Sequence, residues 1–245
     1  MAPPIRLGVL VPAGNPTVEP ELYRMAPMGI TIHFARLVTT AGEPGAPEGM
    51  ERRTLGYLDS MPAAARSLAD LRPGLVVLAH TAVSYLTGFE REPALIERLS
   101  DLAAAPGDTA ARAIVAALAH LGVRRLALAT PYPEAIGAAG RAYWEAAGLA
   151  VVAHRRLDSD NIYAETEERA LALGRAADAG NAEGVLISGT GLPTAGIVER
   201  LEAELGKPVL TSQTAMLWHA LQRLGVAPPV CGYGRLLAGA GVPQA

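Results

Sequence analysis

Two small α/β lobes of one design, related by a pseudo-two-fold axis and facing each other across a cleft, are what this sequence predicts. Each is a doubly wound parallel sheet with helices on both faces. Three observations carry the expectation. Short, continuously apolar runs alternate with helical stretches, as in strands buried on both faces. The β/α order begins again near residue 123. The strand ends of the two halves also echo each other: VPAGNP (11–16) answers ATPYP (129–133), and LAHTAVS (78–84) answers LISGTG (186–191). A chain of 245 residues suffices for two lobes of about 120 residues each. The echo assigns residues 1–106, with a C-terminal segment from about 225 to 245, to the first lobe and 107–224 to the second. The linkers are expected near 106–123 and near the C-terminal end.

In chain order, Leu7–Val11 is the first strand, stopped by the turn residues of PAGNP. Thr31–Val38 is the second. Residues 39–50, rich in Gly, Pro and Glu, form a loop before an amphipathic helix at 51–71. Leu75–Ala79 is the third strand. A strand end and a helix follow between Pro106 and Leu121, closed by Gly122. The second round runs as strand 125–130, helix 134–147, strand 149–155, a DSDN turn at 158–161, helix 163–180 and strand 184–188. Helix 194–205, strand 208–211 and helix 213–224 complete it.

Composition excludes several function classes. Half the residues are hydrophobic but only 4% are aromatic, so aliphatic and alanine packing builds the core. A net charge of −3 with 18% charged residues gives no nucleic-acid footprint. No apolar run reaches the ~18 residues of a membrane span. The N-terminus lacks signal-peptide architecture, so the expected location is the cytoplasm. Cys231 is the only cysteine; it excludes an internal disulfide or a cysteine metal cluster and is expected to be a packed thiol. The five histidines, His33, His80, His120, His154 and His219, show no metal-ligand spacing. No Walker loop, GxGxxG or GxSxG motif occurs. No metal and no cofactor is expected.

Ligands of open α/β sheets bind beyond the carboxyl ends of the strands. That rule selects four loops: 12–19, 80–88, 130–136 and 188–194. Each carries small or hydroxylated residues before a helix start. Taken singly, each suits ordinary helix capping; together on one edge they suit a small anion such as a carboxylate.

With those loops quoted, the chain resembles the aspartate/glutamate racemase superfamily, in the branch that holds arylmalonate decarboxylase and maleate cis-trans isomerase. GVLVPAGNPTVEPEL (8–22) is similar to the branch's N-terminal motif, with Asn15 and Glu19 in place. LGVRRLALATPYPEAI (121–136) is similar to its mid-chain motif, with Tyr132 at the substrate-binding tyrosine. DSDNIY (158–163) resembles the segment that supplies a substrate-binding asparagine, here Asn161, and GYGRL (232–236) resembles the decarboxylase ending. The resemblance implies a cofactor-free enzyme acting on a small carboxylate, with two strand-end positions facing opposite sides of the substrate carbon. Racemases place a cysteine at each. Here His80, followed by Thr81, stands at the first position, and Gly189, followed by Thr190, at the second. Arylmalonate decarboxylase has glycine at the first and cysteine at the second, so this chain looks like the mirror arrangement.

The resemblance therefore implies a decarboxylase-like lyase or isomerase acting through an enolate-like intermediate, with His80 as single acid/base. Histidine suits that role because it titrates near neutral pH. Asn15, Thr81, Tyr132, Asn161, Gly189 and Thr190 are the expected substrate-binding residues, converging on one cleft. Maleate-type isomerisation by a noncanonical route, and carboxylate binding without chemistry, are the alternatives. The expected partner is a small carboxylate substrate, neither nucleic acid nor membrane, and homo-oligomerisation is left open.

Overall fold

The computed structural model describes residues 4–226 and 228–239. Met1–Pro3 and the last six residues of the expected C-terminal segment lie outside them. The first sheet joins β1 (Ile5–Pro12), β2 (Ile30–Leu37), β3 (Leu75–Leu78) and β4 (Gly107–Thr109) in the order β2-β1-β3-β4. The second joins β5 (Arg125–Thr130), β6 (Ala150–Arg156), β7 (Gly184–Ile187) and β8 (Val209–Thr211) in the order β6-β5-β7-β8. All pairings are parallel. The expected repeat is thus present strand for strand. β3 and β7, LVVL and GVLI, are buried at every residue, as strands covered on both faces must be.

The helices are α1 (Val18–Met25), α2 (Met50–Ala69), α3 (Thr81–Thr87), α4 (Glu92–Ala103), α5 (Ala110–His120), α6 (Glu134–Ala146), α7 (Glu167–Ala177), α8 (Val198–Leu205) and α9 (Ser212–Arg223). Two of them exchange between lobes. Each starts at a threonine that ends its lobe's last strand: Thr109 accepts a hydrogen bond from the Arg112 amide, and Thr211 one from the Thr214 amide. From there α5 packs Ala111, Ile114 and Leu118 into the core of the second sheet, beside Leu126 and Leu128. In return α9 packs Met216, Leu217 and Leu221 beside Leu7, Val9 and Leu75 of the first. The two helices also pack on each other, so one face of each sheet is covered by a helix from the other half, while the opposite faces keep cores of their own.

Four expectations need correction. β4 pairs with β3, so the first sheet runs past the boundary expected at 106. The strand end expected after Pro106 is this strand; its place in the first sheet is set by pairing with β3, which the short stretch GDT does not announce. α9 lies on the first lobe's core although 107–224 was expected to form the second. The helix expected from 163 starts at Glu167, where Thr166 caps it. The helix expected over 194–205 divides into a 3-10 turn at Ala195–Ile197 and α8. α1, α3 and α4 are short or open on a proline-containing turn, and the hydrophobic period does not announce them. No helix among the described residues is long and apolar enough to cross a membrane.

Candidate functional site

One cavity opens where the carboxyl ends of the central strands of both sheets face each other. Pro12 ends β1, His80 follows β3, Tyr132 follows β5, and Thr190 and Gly191 follow β7; all line it. The walls come from α2, through Met50, Arg53, Thr54 and Tyr57, and from Gly45, Ile162 and Tyr163 of two facing loops. The enclosed space is narrow, about 20 Å³.

On the first lobe's side His80 is the residue immediately before α3. Its imidazole is buried, and Nδ1 has no hydrogen-bond partner among the described residues. Burial, and then the positive charge of Arg53, lower its pKa to about 4, so the imidazole is neutral at pH 7. The Tyr57 ring stands 5.4 Å away. Thr81, fully buried, shares a 2.7 Å hydrogen bond between its hydroxyl and that of Tyr132. Burial pushes the Tyr132 phenol up to about 12, which keeps it a neutral donor. Pro131 and Pro133 flank it and fix its backbone.

On the second lobe's side the chain turns without a side chain. Gly189 has φ +151°, and a Cβ there would lie 2.7 Å from the Pro131 ring and 3.7 Å from the Tyr132 hydroxyl. Its amide donates to Ser212 Oγ at 3.0 Å. Thr190 donates its hydroxyl to the Ala79 carbonyl at 3.1 Å, across the lobes.

The two asparagines stand at the margins. Asn15 accepts the amides of Thr17 and Val18 on Oδ1, at 2.9 and 3.1 Å, and donates Nδ2 to the Thr190 carbonyl at 3.1 Å. It is buried as a clasp between the lobes and is not among the lining residues. Asn161 is exposed and accepts the Tyr163 amide at 2.9 Å. It lies against Gly45, where a Cβ would meet its Oδ1 at 1.9 Å. Thus His80, Tyr132 and Thr190 line the cavity, Thr81 and Gly189 lie directly behind its wall, and Asn15 and Asn161 border it.

Sequence reasoning missed Arg53, Tyr57 and Tyr163. The first two share the stripe Met50, Arg53, Thr54, Tyr57, Met61 on α2, all buried. An arginine at helical spacing among buried positions was the available signal. Burial raises the Tyr57 and Tyr163 phenols, so both are neutral. Arg53 donates to the carbonyls of Glu48, at 3.2 Å, and Ala46. Cys231 is exposed, a correction to the packed thiol expected. It follows Pro228 and Pro229 and precedes Gly232 at φ +93°, a turn on the surface and outside the cavity lining. Three other histidines have bonding partners elsewhere: His33 with Thr31, His154 with Thr130 and His219 with Asp108. No group of three or more potential metal ligands occurs among the described residues.

The arylmalonate decarboxylase family matches residues 7–237. The maleate isomerase of Nocardia farcinica (strain IFM 10152) is 29% identical over 250 residues, covering 95% of both chains. The arylmalonate decarboxylase of Bordetella bronchiseptica is 30% identical over 196 residues, 78% of this chain and 80% of that one. Among solved structures, a Nocardia farcinica maleate cis-trans isomerase with a covalently bound succinylcysteine intermediate superposes with a TM-score of 0.86 at 26% identity, over 96% of this chain and 98% of that one. Arylmalonate decarboxylase superposes with a TM-score of 0.78 at 26% identity, over 95% and 98%. These relatives are enzymes.

Proposed function

The chain belongs to the arylmalonate decarboxylase family, and from that membership we propose that it is a cofactor-independent lyase or isomerase of a small mono- or dicarboxylate. The intermediate is enolate-like, and His80 is the single acid/base. The observation that carries this reading is the pairing of a buried imidazole, with Nδ1 unpartnered, and a side-chain-free Gly189 at the equivalent strand end. Cys231, the chain's only cysteine, is on the surface, so a cysteine adduct of the kind seen in the isomerase relative has no nucleophile in this cavity.

In the decarboxylase form, the bond to the departing carboxylate breaks, carbon dioxide leaves, and the electron pair passes into an enediolate. Of the bonded pair Tyr132 and Thr81, the hydroxyl that does not donate to the other stabilises the charge that develops, together with the backbone amide of Thr190, whose own hydroxyl is held by Ala79. Asn15 retains one free N–H on Nδ2, and Asn161 its side-chain NH₂, for the carboxylate. Gly189 leaves room for the substrate. His80 then delivers a proton to one face of the carbon and recovers it from water. A neutral imidazole is a poor acid, so the substrate must raise its pKa. A carboxylate about 4 Å away contributes roughly 4 kcal/mol at an effective dielectric of about 20, enough to return the imidazole from about 4 to near-neutral titration.

The test is ¹H NMR of the chain with maleate and with phenylmalonate. Turnover of at least one is expected, falling by about 10²- to 10⁴-fold in His80→Gln with binding retained. Binding of both without turnover of either, or an undiminished variant, contradicts the reading.

A further inference from the structure

Arg53 is a buried cation without a counter-charge. It is 3% exposed and lines the cavity, yet no carboxylate among the described residues pairs with it. An arginine presents five N–H donors in a fixed fork. Here two bonds go to the Glu48 and Ala46 carbonyls, and the remaining donors have no protein acceptor among the described residues. Leaving a buried charge uncompensated costs several kcal/mol. Its field reaches the polar groups of the cavity: the charge acts on His80, Tyr57 and Tyr163 alike. Besides Thr54, the lining also includes Met50, Tyr57, Ile162 and Tyr163, apolar or aromatic in body.

We infer that Arg53 is a further substrate-binding residue, the one that supplies the positive charge opposite the substrate's carboxylate. The inference rests on the reading of this cavity as the active site and adds to it a residue. An anion at the guanidinium supplies the missing counter-charge, and a planar carboxylate matches the fork. The rest of the substrate then lies against the tyrosine rings and Met50, and the α-carbon is brought toward His80. The same anion raises the imidazole pKa toward neutrality, so that the ring can carry the proton it delivers, because it cancels the Arg53 charge that depresses it.

The experiment compares phenylacetate with its neutral isostere phenylacetamide by isothermal titration calorimetry, on the wild-type chain, Arg53→Gln and Arg53→Lys. Phenylacetate is expected to lose about tenfold or more in affinity in Arg53→Gln, and phenylacetamide less than about twofold. Arg53→Lys, which keeps the charge but not the fork, is expected between the two. The NMR titration of His80 should move upward on adding phenylacetate to the wild type, and in Arg53→Gln it should begin higher and move less. Arg53 also anchors the loop at Ala46 and Glu48, so equal losses for both probes would mark it as structural and overturn the inference. A wild-type chain that binds neither probe, or both equally, overturns it too. Because turnover plays no part, failure here leaves the His80 chemistry standing. Failure of His80→Gln to slow turnover leaves the Arg53 result standing.

Discussion

The end of β3 and the end of β7 are the same place in two copies of one lobe, and they have been finished differently. Both strands are four buried residues at the same position in the same strand order. Both are followed by a threonine, Thr81 and Thr190, that bonds across the lobe boundary to Tyr132 and Ala79 respectively. Between strand and threonine, one copy places a titratable ring whose Nδ1 has no partner among the described residues, and the other a glycine where a Cβ would press on the Pro131 ring at 2.7 Å. Pseudo-symmetry thus supplies two equivalent openings onto the cavity, and local backbone and packing allow chemistry at one of them. Pro131 is the physical reason: its ring occupies the space a second catalytic side chain would need.

The largest expected effect separates the two ends directly. His80→Gln should reduce turnover by about 10²- to 10⁴-fold, roughly 3–5 kcal/mol of barrier, measured as kcat on whichever carboxylate the chain turns over. Comparable turnover in the variant would make His80 structural.

The second effect is a pH dependence of stability. His80 is held at about 4 by burial and Arg53, below its unfolded value of about 6.5. The folded state therefore prefers the neutral ring. That contribution is present above about pH 6.5 and is lost as the pH falls toward 4, amounting to about 3 kcal/mol. Glu21 acts with opposite sign. Burial raises it to about 7, against the amides of Ala195 and Thr194, so its contribution is lost as the pH rises from about 4.5 toward 7. Urea unfolding of wild type and His80→Gln across pH 4–7 isolates the histidine. The wild type should lose stability relative to the variant as the pH falls, and parallel curves would refute the shift.

The third concerns the second strand end. Gly189→Ala should cost about 1–3 kcal/mol, because the residue must hold φ +151° with a Cβ 2.7 Å from Pro131. Thermal or urea unfolding measures it, and an unchanged midpoint would show that the opening tolerates a side chain. The smallest effect is none: Cys231→Ser should leave kcat and stability within error, since the thiol is exposed and outside the cavity. A marked loss of activity would return cysteine chemistry to consideration.

Much of this was legible in the sequence because it depends on local chemistry. Continuous apolar runs fix the parallel strands, and the repeated strand-end loops fix where a ligand meets them, so His80, Tyr132 and Thr190 were expected on the cavity that they line. What was not legible depends on long-range placement. The sheet to which β4 belongs, and the exchange of α5 and α9 between lobes, are decided by which partner each element finds. Arg53 lies on a helix whose pattern reads as an ordinary amphipathic face, and only the fold turns that face toward the strand ends. Asn15 reads as a ligand residue, yet its position also makes it a clasp on Thr190.

The central claim is that proton transfer occurs at one face of the substrate carbon, from the β3 end. Exchange of the α-hydrogen of 2-phenylpropionate in heavy water, followed separately for each enantiomer by NMR and chiral chromatography, tests it most directly. The account predicts that one enantiomer takes up deuterium with retention, the other does not, and His80→Gln exchanges neither. Exchange of both enantiomers with racemisation, exchange of neither by the wild type, or exchange that survives in His80→Gln would contradict it.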